Sequence, residues 1–456
     1  MRTLIQNGTV INAGGQRRAD LLVENGRIAS IAYSIADPNA RVIDASGCYV
    51  FPGFIDTHTH FDLDLGITVT ADNFPTGSRA AVLGGTTTVL DFASQERGSS
   101  MQDALDLWHR KAAGASCNYG FHMAISEWNE AREREIPSMI EQGVTSFKMY
   151  MVYDNERLDD GAIYSALIAM REAGCIAGVH CENYDLLQAR IRALKAAHRL
   201  SPAAHPVSRP AENEAEAVAR LMRIAQMAES PVWVVHLSTE QGLLEANRAR
   251  ARGQEVYLET CPQYLLLSDR CYDAPDAEKY IFSPPARKTS DCAALLAALH
   301  QNEIDVIGTD HCSFTMAQKA LGGGDFSRVP NGGAGVQNRA ELIYTYAVQA
   351  GKIDLCQMAA LLSANAAKLF GMPKKGALRE GADADIVVFD PDAPHTVSWK
   401  TNAHDCDNSP FEGMPVAGRV RDVLLDGKEV VRGGELILSG CGRFVPRSLS
   451  ERPRKK

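Results

Sequence analysis

His58 and His60 carry the first chemistry visible in this chain. They end the run Val50-Phe-Pro-Gly-Phe-Ile-Asp-Thr-His-Thr-His60, which reads as a buried β-strand. Along a strand, residues i and i+2 face the same side, so both imidazoles can converge on one ion. A lone His-x-His pair is equally at home on a solvated strand face. Here, however, Lys148, His180, His236 and Asp310 each lie in or just beyond a later apolar, strand-like run. Neutral imidazole suits zinc and its neighbours among the divalent metals, and a carboxylate completes such a set. Asp310, in Val306-Ile-Gly-Thr-Asp-His311, suits both a ligand and a proton shuttle. The constellation points to a two-metal hydrolase. Lys148, in Ser146-Phe-Lys-Met-Tyr150, is the odd member, because an ammonium cannot ligate a metal. On its own it reads as a lysine snorkelling from a strand end to water.

The elements that must position these residues alternate in type. Between about residues 51 and 372, apolar strand candidates occur at Gly53–Thr57, Thr86–Phe92, Asn118–Ile125, Ser146–Met151, Ile176–His180, Val232–His236, Glu255–Thr260 and Asp305–Gly308. Helical stretches such as Asp159–Glu172 and Arg209–Ala228 separate them. The second of these places Pro210 at a suitable first helical position and Ala215, Val218, Leu221, Met222 and Ala225 on one face. This α/β alternation predicts a parallel (β/α)₈ barrel of the TIM type, spanning 51–372. A doubly wound open sheet is the alternative, but no Gly-x-Gly-x-x-Gly follows the first strand. The barrel also accounts for candidate ligands at the C-terminal ends of strands.

Short strand-like pieces fill 1–50, with Asn7-Gly8 and Asn25-Gly26 as hairpin turns. The same texture returns in Ile386–Asp390, Val420–Leu425 and Glu429–Arg432, around Asp426-Gly427. Residues 1–50 and 373–442 are therefore expected to build one smaller, discontinuous β-sandwich. Two separate β extensions would each have a poor core. The tail, 443–456, mixes proline with basic residues and reads as a solvated or partner-packed arm.

Bulk properties narrow the partners. The 456 residues are 45% hydrophobic and 23% charged, ordinary for a soluble globular protein. A net charge of −9 argues against nucleic acid or an anionic membrane surface. Eleven cysteines without a C-x-x-C pair, and no export signal at the N-terminus, read as reduced thiols in the cytoplasm.

Longer motifs then carry a resemblance. Gly53-Phe-Ile-Asp-Thr-His-Thr-His60, Ser146-Phe-Lys-Met-Tyr150, Val179-His-Cys-Glu-Asn183, Val235-His-Leu-Ser238, Glu259-Thr-Cys-Pro-Gln-Tyr264, Phe282-Ser-Pro-Pro285, Gly308-Thr-Asp-His-Cys-Ser-Phe314 and Pro330-Asn-Gly-Gly-Ala-Gly-Val336 together resemble the amidohydrolase superfamily. Within it, the likeness is to the cyclic amidases, the hydantoinases and dihydropyrimidinases, over nearly the whole chain. One departure is Ala334, where many relatives carry proline.

The resemblance implies hydrolysis of a 5-substituted hydantoin or a dihydropyrimidine to the N-carbamoyl amino acid, by a hydroxide bridging two metals. His58, His60 and Asp310 would hold one ion and His180 and His236 the other. Lys148, carbamylated by CO₂, would bridge both. Zinc is the expected metal, with manganese or cobalt as alternatives. Asp310 would shuttle the proton, Tyr153 would donate to the developing oxyanion, and Ser283 and Asn331 would contact the ring. Relatives form homotetramers. Dihydroorotase and allantoinase are the rival activities, but Phe61-Asp62-Leu63-Asp64 lacks the cation that a carboxylate-bearing substrate calls for. A non-catalytic scaffold related to dihydropyrimidinase is disfavoured, because all six ligand positions are filled.

Overall fold

Two architectures meet at Gly53. The computed structural model, which describes residues 2–450, breaks the expected Val50–His60 strand into Tyr49–Pro52 and Phe54–Thr59, which belong to different sheets. A Cβ on Gly53 would lie 2.1 Å from Thr87 Oγ1, so the chain crosses between sheets only where a side chain is missing.

The second half of that run opens a (β/α)₈ barrel. Its strands are Phe54–Thr59, Thr86–Gln95, Asn118–Ile125, Ser146–Tyr150, Ile176–His180, Val232–Val234, Val256–Thr260 and Val306–Ile307, each paired with the next in chain order. All these pairings are parallel. The ring closes just past the last strand, where His60 N donates to His311 O at 2.8 Å. Helices cover the outside because parallel strands must be buried on both faces. The helix Asp160–Glu172 starts where the Asp159 carboxylate accepts the Ala162 amide. Pro210 sits one place earlier than expected. It is the N-cap with extended backbone, and the helix runs Ala211–Ala228 with Val218, Leu221, Met222 and Ala225 buried.

The chain ends assemble together. A seven-stranded sheet runs in the order Glu435–Leu436, Lys428–Arg432, Arg419–Leu425, Ile386–Asp390, Tyr49–Pro52, Thr9–Asn12, Gly15–Arg18. A four-stranded sheet of Arg27–Ala32, Asp20–Glu24, Arg2–Gln6 and Arg41–Asp44 packs on it. Ile5, Leu21 and Val23 from one end share a core with Ile386, Val388 and Leu424 from the other. Gly15–Arg18, exposed throughout, carries no apolar pattern by which a sequence reading could find it.

The described part of the tail is not a solvated arm. Val445 N donates to Tyr119 O and Ser448 N to Gly371 O, which lays the segment across the N-terminal end of the barrel. Arg447, 4% exposed, reaches into that floor. Its guanidinium donates to Ser146 Oγ at 2.6 Å and to the Phe121 carbonyl. His122 bonds Ser146 Oγ through Nδ1 at 2.6 Å and Thr57 O through Nε2 at 3.2 Å. A buried relay thus runs from the tail to the residue beside His58. Among the described residues no helix is long and apolar enough to cross a membrane.

Arg447→Met should leave the Ser146 hydroxyl and the Phe121 carbonyl short of a donor. The expected cost is about 1–3 kcal/mol. It should appear as a lower urea midpoint, and an unchanged midpoint would mean the floor contact contributes nothing.

Candidate metal centre

Four imidazoles, a lysine and a carboxylate converge at the C-terminal end of the barrel. His58 is fully buried at the end of the first strand, with its ring centroid 5.2 Å from that of His60 and 5.3 Å from that of His236. His180 and His236 follow at 4.4 Å. Asp310 Oδ1 lies 3.2 Å from His58 Nε2 and 3.4 Å from His60 Nε2. Lys148 Nζ, on the fourth strand, is 2.9 Å from His58 Nε2. His236 and Asp310 are held in the left-handed backbone region, at φ 40° and 53°. For side chains with a Cβ this is a strained conformation that persists where the surroundings enforce it.

The bonding pattern turns ligand atoms toward a common point. His58 Nδ1–H donates to Glu259 Oε1 at 2.6 Å, a bond that fixes the tautomer. Its Nε2 is then a lone pair, and it faces the Asp310 carboxylate oxygen. The Lys148 amine, 2.9 Å away, meets the same Nε2, so a group of positive charge already lies beside the two acceptors. His236 Nδ1, close by, is buried without a hydrogen-bond partner. Ligand atoms of His58, His236 and Asp310 all fall within 4.8 Å of one another. Nitrogen and carboxylate donors so arranged fit a divalent cation of the zinc group.

Electrostatics keep the ligands in the required form. Burial pushes His58, His180 and His236 below their ordinary values, so the imidazoles stay neutral. Burial likewise lowers Lys148, against the pull of Asp310 and Glu259. No carboxylate lies within ion-pair distance of its amine among the described residues. Burial pushes the Tyr153 phenol far above its usual range, so it remains a proton donor.

Supporting groups surround this shell. Glu259, fully buried, also accepts from Thr57 Oγ1 at 2.7 Å and from the His236 amide at 3.2 Å. His180 Nε2 bonds Glu182 Oε2 at 2.7 Å, and Arg209 meets the same oxygen at 2.5 Å. Burial alone would raise Glu182, but Arg209 and His180 hold it well below the usual carboxylate range. Sequence reading passed over Glu182, Arg209 and Glu259 as site residues. A carboxylate two places after His180, and another inside an apolar strand, were the available signals.

The residues expected at the ring come together as well. The Tyr153 ring lies 5.2 Å from that of His180. Ser283 Oγ donates to Asn331 Oδ1 at 2.8 Å. Lys319, 1% exposed, ties their two loops together by donating to Ile281 O, Pro330 O and Gly332 O at 2.8, 2.7 and 2.7 Å. Burial brings its ammonium down to about 7. A second acidic group, Asp383, Asp385 and Asp426, lies in the sandwich. It is neutralised from within by Lys375 and Arg443, so it needs no ion.

Glu259→Gln should disturb the tautomer and orientation of His58 without touching an ion directly. Loss of such a supporting carboxylate commonly lowers metal affinity about 10–100-fold. Competition against a chelator would measure it, and wild-type retention would remove Glu259 from the centre.

Comparison with known proteins adds an independent line. The model of the amidohydrolase family matches residues 49–430. The D-hydantoinase of Geobacillus stearothermophilus is 42% identical over 457 residues, covering 98% of this chain and 97% of that protein. The D-hydantoinase of Streptomyces coelicolor is 43% identical over 460 residues, covering 98% of each. The crystal structure of dihydropyrimidinase from Brevibacillus agri superposes with a TM-score of 0.98 at 40% identity, over 99% of this chain and 100% of that one. End-to-end similarity at this level, on a barrel whose mouth gathers metal-binding side chains, makes this chain a member of the amidohydrolase family.

Proposed function

We propose that this chain is a metal-dependent cyclic amidase that opens a 5-substituted hydantoin or a dihydropyrimidine to the N-carbamoyl amino acid. The observation that carries the reading is Asp310, whose carboxylate stands within 3.4 Å of both imidazoles of the His-x-His pair. The full-length relatives named for this activity support it. His58, His60 and Asp310 would hold one divalent ion, His180 and His236 a second, and Lys148, as its carbamate, would be shared. Zinc is the first choice, with manganese or cobalt as alternatives. Bound there, the ions would supply Lewis-acid chemistry, acidifying water and polarising the ring carbonyl.

The chain's own groups do the rest. Asp310 takes the proton of the attacking water as its oxygen bonds to the carbonyl carbon. The same carboxylic acid then protonates the leaving ring nitrogen as the C–N bond breaks, which leaves a carboxylate and an ureido group. Tyr153, kept protonated by burial, donates to the carbonyl oxygen as it gains charge. Ser283 and Asn331, fixed to each other, orient the ring imide. The carbamate on Lys148 forms from the free amine and CO₂ with release of a proton. A homotetramer is the proposed assembly, supported by the resemblance and by exposed apolar residues such as Val42 on the smaller sheet and Tyr33 just past its edge strand. Light scattering should return the tetramer mass, and a monomer at all concentrations would dismiss it.

Wild-type enzyme supplied with metal should open dihydrouracil or phenylhydantoin. Turnover of dihydroorotate or allantoin alone would discard the assignment. Asp310→Asn should lose about 10²–10⁴-fold in turnover while keeping some metal, as expected for a general acid and base. Near-normal rates would take Asp310 out of the proton path.

Lys148→Ala should bind less metal and regain partial activity with short carboxylates. Lys148→Arg should not substitute, because guanidinium stays cationic. Intact mass showing a bare lysine in a fully active enzyme would refute the carbamate.

A further inference from the structure

A buried ammonium joins the two loops expected to hold the substrate ring, and it does so through backbone carbonyls. Lys319 ends the short helix Met316–Lys319. That helix is itself fixed, since Met316 N donates to Asp407 Oδ1 at 2.8 Å and Gln318 Nε2 to Thr68 Oγ1 at 2.7 Å. From it the Lys319 side chain, 1% exposed, brings Nζ to the carbonyls of Ile281, Pro330 and Gly332. Pro330 and Gly332 flank Asn331, and Ile281 stands two places before Ser283. Carbonyls gathered at one point repel one another, and a lysine ammonium carries three N–H donors to match them. Its charge is costly to bury unless those donors are used, and here each has an acceptor.

Other bonds in the two loops lead to the same place. Gly332 N donates to Ile281 O at 3.0 Å, the carbonyl that Lys319 also takes. Ser283 Oγ donates to Asn331 Oδ1 at 2.8 Å. On either side of Ser283, buried His205 holds Phe282 O at 2.9 Å and the Tyr264 hydroxyl holds Pro284 O at 2.9 Å. The backbone around both ring-facing residues is thus fastened, and Lys319 grips the two loops at once.

We propose that Lys319 is a positioning residue for the cyclic imide, holding the Ser283 and Asn331 loops at the spacing the ring requires. The inference rests on the ring-opening reading and adds to it a group outside the proton path. Lys319 acts through the backbone of other residues, so its removal weakens ring binding and leaves the chemistry at Asp310 in place. A cavity of about 250 Å³ adjoins its stem, with Met316, Ala320, Phe326 and Val329 among its walls. A small amine has room there once the side chain is cut back.

The test measures KM, kcat and metal content of the full-length enzyme supplied with metal, on dihydrouracil and phenylhydantoin. Lys319→Met keeps the stem and removes the donors. On whichever ring wild type opens, KM should rise about tenfold or more, as losing one ring hydrogen bond would cause. The change in kcat should be smaller, and metal per chain should stay at the wild-type level. KM does not depend on how much of the sample is folded, so partial unfolding cannot imitate the effect. Lys319→Arg should show the same rise, because a planar guanidinium cannot bring three donors to one point. It decides the matter if Lys319→Met fails to fold. In Lys319→Ala, propylammonium supplies the missing atoms and should bring KM back down, whereas tetramethylammonium, a cation without N–H, should not. Wild-type KM in Lys319→Met or Lys319→Arg, a loss confined to kcat, or equal effects of the two cations would overturn the inference alone. A wild type that opened neither ring would sink the ring-opening reading, and the inference with it.

Discussion

An imidazole removed from water needs a partner for each ring nitrogen, and the mouth of this barrel is built around that requirement. His58 satisfies Nδ1 with Glu259, which leaves Nε2 turned toward Asp310 and the Lys148 amine. His180 satisfies Nε2 with Glu182, itself held by Arg209. His236 is left with an orphan nitrogen. The supporting carboxylates thus commit one face of the site to protein and leave the other face to something positive. A cation is what the unfilled half of this bonding pattern calls for.

The same constraint reaches the far end of the barrel. His122 satisfies both its nitrogens in the floor, with Ser146 and with the carbonyl of Thr57, one residue before His58. Arg447 from the tail then saturates Ser146. The strand that presents the first histidine pair is therefore fixed from both ends: by Glu259 above and by an arginine from the last described residues below. Preorganisation of this kind keeps ligand atoms placed before an ion or a substrate arrives.

Much of this was legible in the sequence, for a physical reason. Apolar runs are dictated by burial on both faces of a parallel sheet, so most barrel strands could be read within a residue or two, although Thr86–Gln95 runs three residues past the expected Phe92. His58, His60, Lys148, His180, His236 and Asp310 stood out because strand ends of a (β/α)₈ barrel share one face. Other features depended on contacts distant in the chain. The partner of Tyr49–Pro52 is Ile386–Asp390, and no local pattern announces it. The strand Gly15–Arg18 is polar throughout, and the tail's basic character pointed to solvent although Arg447 is buried. Nothing local in the sequence sets Lys319 apart from a surface lysine. Only the folded chain brings three carbonyls to its ammonium.

The pairing of Val50 with Val388 also has a consequence for biogenesis. On the ribosome, the apolar strands Thr9–Asn12 and Tyr49–Pro52 emerge early, yet the neighbour that covers Tyr49–Pro52 is among the last segments made. Until then that strand has an open edge, of the sort that invites pairing with another chain. The intervening barrel has time to form first, since each of its parallel neighbours follows the previous one in the chain. Gly53 then joins a barrel still waiting for its floor segment to a half-built sandwich. The vulnerable interval of that open edge thus ends with the arrival of Ile386–Asp390.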